Sequence, residues 1–416
     1  MISMRKSMMT LGIVMLAAAA LTMRPLRSRA DDSIHGDWSA RFASGTDAPC
    51  IQLELDRSTW GHHNRWGDSH KLTDFTGLDA SLATAKDAAV HFELRRDAGT
   101  ISFDGRFING DGSGKFTFAS SADYVQGMKS LGFTNLSQEQ LFSFTMHDLS
   151  RQFVKDMAGA GYPTKDLDEL VAFRIHGVSP EFARAMQSLL TTKPSADELV
   201  AFRIHGVSPE FTGGMTDVLP EKPTADNLVA MRIHGVNPED TKQIDTLLGK
   251  HFDVDQLVAF RIHGVSPEFA RGVQDSISKD VSADDLVAMR IHGVSPEFAK
   301  SMGALLGRRL STDQLVAFRI HGVSPEFTEA MQQLVAKDLS SDELVTFRIH
   351  GVSPEFVKGM KDVGYAKISP DNLVSMRIHG VDAEFVKEVR SHGVKDATID
   401  DLIEMRIHGR YTRASM

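Results

Sequence analysis

The stretch "LVAFRIHGVSPEF", Leu170 to Phe182, returns letter for letter at residues 199–211 and in near copies as far as the C-terminus. Its histidine stands at 176, 205, 234, 263, 292, 321, 350, 379 and 408, so each Arg-Ile-His-Gly lies 29 residues after the last, without an insertion. One step earlier, His147 in "LFSFTMHDLSRQF" keeps the register, with Phe153 in the place of Phe182. A further step back, Tyr124 and Met128 in "SADYVQGMKSLGF" hold the places of Phe182 and Met186. A fixed period of this size marks stacked supersecondary units.

Each unit reads as two short helices. Ten residues before each motif histidine stands Ser, Thr or Asp, as in Ser195-Ala-Asp-Glu198, an N-cap followed by its capping-box partner. The first helix runs from there to the motif glycine. Gly177 takes the left-handed conformation that ends a helix, and Val178 then meets Phe173 in a Schellman-type stop. Ser179-Pro180-Glu181 starts the second helix at once, with a cap, a proline at the first helical position and a carboxylate beside the positive dipole end. Phe182, Met186 and Leu189 give that helix one apolar stripe. A pair this small needs neighbours on both sides, so the repeat predicts an α-solenoid that opens with a lone second helix at about 121–131 and closes with a lone first helix at about 399–408.

Residues 31–120 change period. "CIQLELDR", "AVHFELRRD", "TISFDGRF" and "GKFTF" alternate apolar and polar residues, as strands with one buried face do. "INGDGSG" reads as a hairpin turn, and the last three strands as an antiparallel meander. The fold class is therefore α+β: a small antiparallel β domain at 31–120, then a long solenoid of 29-residue helix pairs at 121–409, then a basic tail at 410–416. Within the array, Asp240 replaces the phenylalanine of the other units and Gly213-Gly214 interrupts a second helix, so a soft point is expected near 207–245.

Residues 1–30 read as an export signal. Arg5 and Lys6 precede an apolar run from Met8 to Met23, and Ser28-Arg29-Ala30 offers a cleavage site. Arg24, Arg27 and Arg29 leave an uncleaved anchor as the alternative. The expected location is periplasmic or secreted. Cys50 is the single cysteine, so no intramolecular disulfide holds the fold. A net charge of −9 opposes a general nucleic-acid binder.

The repeated Arg174 and His176 invite a functional reading, a basic ladder gripping an anionic ligand. The structural reading is simpler: His176 suits the negative end of the helix dipole, and Arg174 is near enough in sequence to pair with Glu181 or with carboxylates of the next unit. The motif residues Arg174, His176, Gly177, Pro180, Glu181 and Phe182 are thus expected to build the array. The in-register histidines would titrate together near their usual pKa of about 6.5, a pH response that the array would share. Their spacing of about 8–10 Å, one helix to the next, is too wide for a shared metal ion.

In "WGHHNRWGDSH", His62, His63, Asp68 and His70 form a weakly specific metal candidate in what reads as a polar loop between tryptophans. "NGDGSGKF" departs from a calcium loop at its twelfth position, Ser120, and from a P-loop because Phe116 follows Lys115. No nucleophile or metallopeptidase motif is present, and repetition itself opposes a unique catalytic constellation. No cofactor is expected. An enzyme confined to the β domain would need Asp68, His62 and His63 in one pocket.

The motif His-Gly-Val-Ser-Pro-Glu-Phe, with "LGF" or "VGY" between units, resembles the tandem repeat of uncharacterised bacterial exported proteins, where His-Gly-Val-[Ser/Thr]-Pro-Glu-[Phe/Tyr] recurs. Similar repeats occur attached to membrane metallopeptidases of the beta-lactam-sensor type. "VHFELRRDAGTISFDGRF" with "GSGKFTF" is similar to the β segment before such repeats, and the likeness covers about residues 36–409. The resemblance implies an envelope protein without assigning activity or binding residues. The metallopeptidase part has no counterpart here.

Together these features lead to a non-enzymatic exported scaffold that binds a protein or envelope component through the solenoid surface. The positions that vary after each second-helix phenylalanine, Ala183-Arg184, Thr212-Gly213, Ala299-Lys300 and Val357-Lys358, are the expected contact residues. The alternative is a sensor or regulatory subunit, its β domain binding a small ligand or metal and its repeats relaying to a membrane partner.

Overall fold

The structure, a computed structural model, describes residues 34–42, 50–59 and 62–411, the side chains of 58, 59 and 62–64 excepted. The export segment at 1–30 lies outside the described residues. Contacts divide the chain into two compact units, one of residues up to Lys155 with Thr164–Val171, the other of Asp156–Pro163 with Ala172 onward.

The first unit holds a seven-stranded antiparallel half-barrel sheet among the described residues. Its strands are β1 (His35–Phe42), β2 (Cys50–Thr59), β3 (His62–Lys71), β4 (Phe75–Thr76), β5 (Ala88–Arg96), β6 (Gly99–Ile108) and β7 (Asp111–Ser120), in the order β3-β2-β1-β7-β6-β5-β4. The meander β5-β6-β7 is the one its alternation predicts. Strand β1 closes on β7, with Trp38 opposite Gly114.

"INGDGSG" is a turn only in its first half. Asn109 and Gly110 carry the two positive φ angles, 52° and 86°, that a tight hairpin of this hand needs. Gly112 and Gly114 are strand residues with a different task. A Cβ on either would lie 2.7 Å from the Trp38 indole, and one on Gly105 would lie 2.6 Å from it. These glycines form a floor under the ring, which then meets Phe92 edge-on at 5.2 Å and donates from Nε1 to Asp104 O at 3.2 Å.

The polar loop expected at "WGHHNRWGDSH" is instead mostly strand β3, paired along its length with β2. It lies at the sheet edge, where one ladder suffices and polar residues are tolerated. Helices α1 (Ala122–Ser130), α2 (Gln138–Met146) and α3 (Arg151–Gly159) follow β7. Phe142 of α2 covers the sheet, 5.9 Å from Phe116 and 5.4 Å from Trp66.

From α4 (Leu167–His176) and α5 (Pro180–Leu189) the pattern continues as pairs to α20 (Ile399–His408), twenty helices among the described residues. Each first helix from α6 (Ala196–His205) onward packs on the first helices of adjacent units, and each second helix from α5 onward on the second helices, giving two layers. Ser195 accepts from the Glu198 backbone while Glu198 accepts from the Ser195 backbone, and the same box closes on Thr224, Asp253, Ser282, Ser311, Ser340 and Thr398. At the far end Val207 N donates to Phe202 O at 2.7 Å around Gly206, whose φ is 70°. The core between layers is Leu199 and Phe202 from α6 with Val207, Phe211 and Met215 from the turn and α7 (Pro209–Val218), all buried.

Candidate functional site: the outer face of the first helices

A ten-residue helix covers nearly three turns, so it has room for two stripes. Leu199 and Phe202 of α6 form the inner one. Asp197, Val200, Ala201 and Ile204 stand at i, i+3, i+4 and i+7, which places them together on the opposite side. Among the described residues no element covers that side. Ile204 is 56% exposed, and its equivalents from Ile175 to Ile407 all lie between 54% and 57%. Val200 and Ala201 are half-buried between neighbouring helices, and Asp197 is exposed, as are Asp226, Asp255, Asp284, Asp313, Asp342, Asp371 and Asp400 in the same place.

The face therefore carries three parallel rows across the stacked helices. Carboxylates lie at the N-terminal ends, Val200, Ala201 and their equivalents near the middle, and the exposed isoleucine at the C-terminal end, between arginine and histidine in the sequence. Such alignment follows from the uninterrupted period. Large isoleucines repeatedly kept in water need a reason, because a contiguous apolar patch beyond a few hundred Å² on a folded surface marks an interaction site.

From Arg203 onward the motif arginine has a structural task. It reaches back to the preceding unit. Arg203 lies over the Phe182 ring at 5.1 Å, Arg232 over Phe211 at 4.9 Å and Arg406 over Phe385 at 4.7 Å. Arg203, Arg290 and Arg348 also donate from Nε to the carbonyls of His176, His263 and His321 at 3.2–3.4 Å. Each such arginine covers the previous phenylalanine, and in three units it also serves a C-terminal carbonyl that the helix leaves open. Glu181 pairs within its own helix, with Arg184 at 3.7 Å, and its carboxyl is held below the usual range by its own backbone N–H and by Ser179. The imidazoles from His205 to His408 are exposed apart from half-buried His379.

The expected contact positions divide. Ala183, Thr212, Ala299 and Val357 are buried and pack one unit on the next, so they are corrected from surface to core. Thr212 Oγ1 donates to Ser208 O at 2.9 Å, satisfying its hydroxyl inside the helix. Arg184, Lys300 and Lys358 are exposed and Gly213 is half-buried. Lys300 lines a surface cavity of about 300 Å³ with Arg308 and Arg309. The isoleucine row escaped the sequence reading because it sits inside the motif read as structural. Its signal was available: Ile204 is five residues from Leu199, about 140° around a helix from the core stripe.

Strand geometry separates the metal candidates. His62 and Asp68 are six residues apart on an extended strand, about 20 Å, and His70 is farther still. The side chains of His62 and His63 lie outside the described residues. His70 is buried edge-on to Phe75 at 5.7 Å, burial holds its imidazole below the usual range, and its Nε2 has no hydrogen-bond partner. Among the described residues no three His, Cys, Asp or Glu side chains gather to hold a metal ion, and no helix is long and apolar enough to cross a membrane.

No protein-family model matches the chain, and no curated protein matches it.

Proposed function

We propose that this protein is an exported, non-enzymatic repeat scaffold whose first-helix face binds a protein partner. One observation carries the reading: isoleucines kept more than half exposed at one position of the nine units from Ile175 to Ile407. Covering one such side chain contributes on the order of 1 kcal/mol, so a partner spanning several units gains affinity from repetition alone. The carboxylates at one helix end and the arginine and histidine beside the isoleucine at the other then set its orientation, since rim charges govern register more than strength. The likeness of the motif to bacterial exported repeat proteins supports an envelope location.

The test is a crosslinking pull-down from native envelopes with the full chain and with a variant carrying Ile262→Gln, Ile291→Gln and Ile320→Gln. Glutamine keeps helix propensity and removes the apolar surface. Loss of the captured partner with unchanged thermal unfolding is the expected result. Undiminished capture by the variant rejects the face as the binding surface, and capture that follows the sheet-containing unit alone would favour the sensor reading.

A further inference from the structure

One position of the second helices changes character from unit to unit. Gln187, Gln274, Gly303, Gln332 and Lys361 are among the residues that occupy it, each a multiple of 29 residues from the next. Where it is glutamine, the side chain plugs the gap to the preceding unit. Gln187 Nε2 donates to Ala160 O at 2.8 Å, Gln274 Nε2 to Leu247 O at 3.1 Å and Gln332 Nε2 to Leu305 O at 3.0 Å, each acceptor lying near the end of the preceding second helix. Gln332 Nε2 also donates to Lys337 O at 3.1 Å, so one primary amide joins two backbone carbonyls.

Gly303 leaves the plug out. The carbonyls in the corresponding places are those of Ser276 and Arg308, and a Cβ on Gly303 would meet only Arg308 O, at 3.2 Å. The space is the surface cavity of about 300 Å³, with Ser276, Gly303 and Arg308 in its wall. Glycine weakens a helix interior such as that of α13 (Pro296–Leu306), and here it keeps the cavity open. Two periods on, where the position is Lys361, residues 333–335, 357 and 366–368 line a second cavity, of about 510 Å³, as 275–277, 299 and 308–310 line the first. Both cavities stand where the glutamine is missing.

The wall at Gly303 also carries charge. Lys300, Arg308 and Arg309 line it, and none of the three makes an ion pair among the described residues. Arg308 Nη2 donates to the buried Ser341 Oγ at 2.9 Å, which anchors one guanidinium and leaves its other N–H groups for a ligand. In the next unit, where Gln332 fills the gap, the same three places hold Glu329, Lys337 and Asp338. The three cations therefore come together with the opening. We propose that this cavity binds a small molecule that joins a carboxylate to a primary amide or an ammonium group, as an amino acid does. Its nitrogen takes the place of the Gln332 amide and donates to Ser276 O and Arg308 O, and its carboxylate meets Lys300, Arg308 and Arg309. A cavity of this volume suits a ligand of that size. The site is separate from the isoleucine face and does not depend on it.

The experiment titrates the full chain by calorimetry with four probes. Glutaramate carries an amide and a carboxylate, γ-aminobutyrate an ammonium and a carboxylate, and butyramide and butyrate one group each. Saturable binding of glutaramate or of γ-aminobutyrate is expected, the tighter of the two identifying the nitrogen, with butyramide and butyrate weaker by about tenfold or more. Gly303→Gln supplies the plug of the sister units, so it should leave thermal unfolding unchanged or raise it and weaken binding at least about a hundredfold. Lys300→Gln with Arg309→Gln, which leaves the cavity open, should weaken binding about tenfold or more. Failure of both two-group probes to saturate the chain at millimolar concentration overturns the proposal. Binding that survives Gly303→Gln or is unmoved by the loss of Lys300 and Arg309 also overturns it, as does butyrate held as tightly as glutaramate and γ-aminobutyrate.

Discussion

Arg261 meets Asp240 at 2.9 Å, in the place where Arg232 lies over the Phe211 ring at 4.9 Å. The substitution of a carboxylate for the ring is therefore answered by the same arginine, which exchanges a cation–π contact for an ion pair. Asn237 Nδ2 donates to the same carboxylate at 2.9 Å. The helix α9 (Pro238–Leu248) forms without its phenylalanine, with Thr241, Ile244 and Leu248 buried.

This unit should still be the weakest joint. Its ion pair is partly exposed and contributes no more than about 1 kcal/mol, whereas a buried phenylalanine contributes about 1.5–3 kcal/mol. Asp240→Phe is expected to stabilise the array by about 1–2 kcal/mol in denaturant unfolding. Hydrogen exchange across 207–245 should slow with it, and exchange already as slow as in flanking units would contradict the weakness.

The motif glycine carries two constraints at once. Gly264 has a φ of 72°, and a Cβ there would lie 2.8 Å from the guanidinium of Arg290 in the next unit. Gly264→Ala should cost about 1–2 kcal/mol from the left-handed backbone alone, with a smaller term from the displaced arginine. Thermal unfolding reads the loss. Pairing it with Arg290→Ala in a double-mutant cycle should show a coupling, since the alanine at 264 and the arginine compete for the same space.

How much of this was legible follows from what each residue type demands locally. Caps such as Ser195 and stops such as Gly206 act within one turn, so helix ends could be placed from sequence to about a residue. Strands β5 to β7 were legible because Phe92, Phe103 and Phe116 alternate with polar neighbours. Strand β1 was not, since its burial rests on Trp38 and Ala40 and on a glycine floor contributed by other strands. Edge strand β3 shows almost no alternation to read. At the candidate site, Arg203 and His205 drew attention by their chemistry, while Ile204 between them was given no role. Its angle from Leu199 is the signal that sets it on the outer side.

The isoleucine row should be separable from stability. Ile291→Gln leaves the buried Leu286 and Met289 untouched and alters an exposed position, so its effect on unfolding should stay within about 0.5 kcal/mol. Phe318→Ala, on the inner stripe of a first helix, should cost about 3–5 kcal/mol. The contrast in midpoint between these two variants measures the division of labour between the two stripes of the first helices.

Acid should act on the first unit through Asp97. Its carboxylate accepts from Arg151 Nε at 3.0 Å, Nη2 at 2.6 Å and the backbone N at 2.9 Å, and Arg151 also pairs with Asp123 at 2.8 Å. The guanidinium hydrogen bonds hold the Asp97 carboxyl below the usual carboxylate range. A depressed folded pKa means that the stabilisation is complete above the unfolded value, about pH 4, and is lost as pH falls through the folded value. Asp97→Asn should lower stability at neutral pH by about 1.5–3 kcal/mol, because charge-assisted hydrogen bonds are lost. It should also flatten the acid limb of the unfolding profile followed by Trp38 and Trp66 fluorescence. An acid limb as steep in the variant as in the parent chain would assign acid sensitivity to other carboxylates.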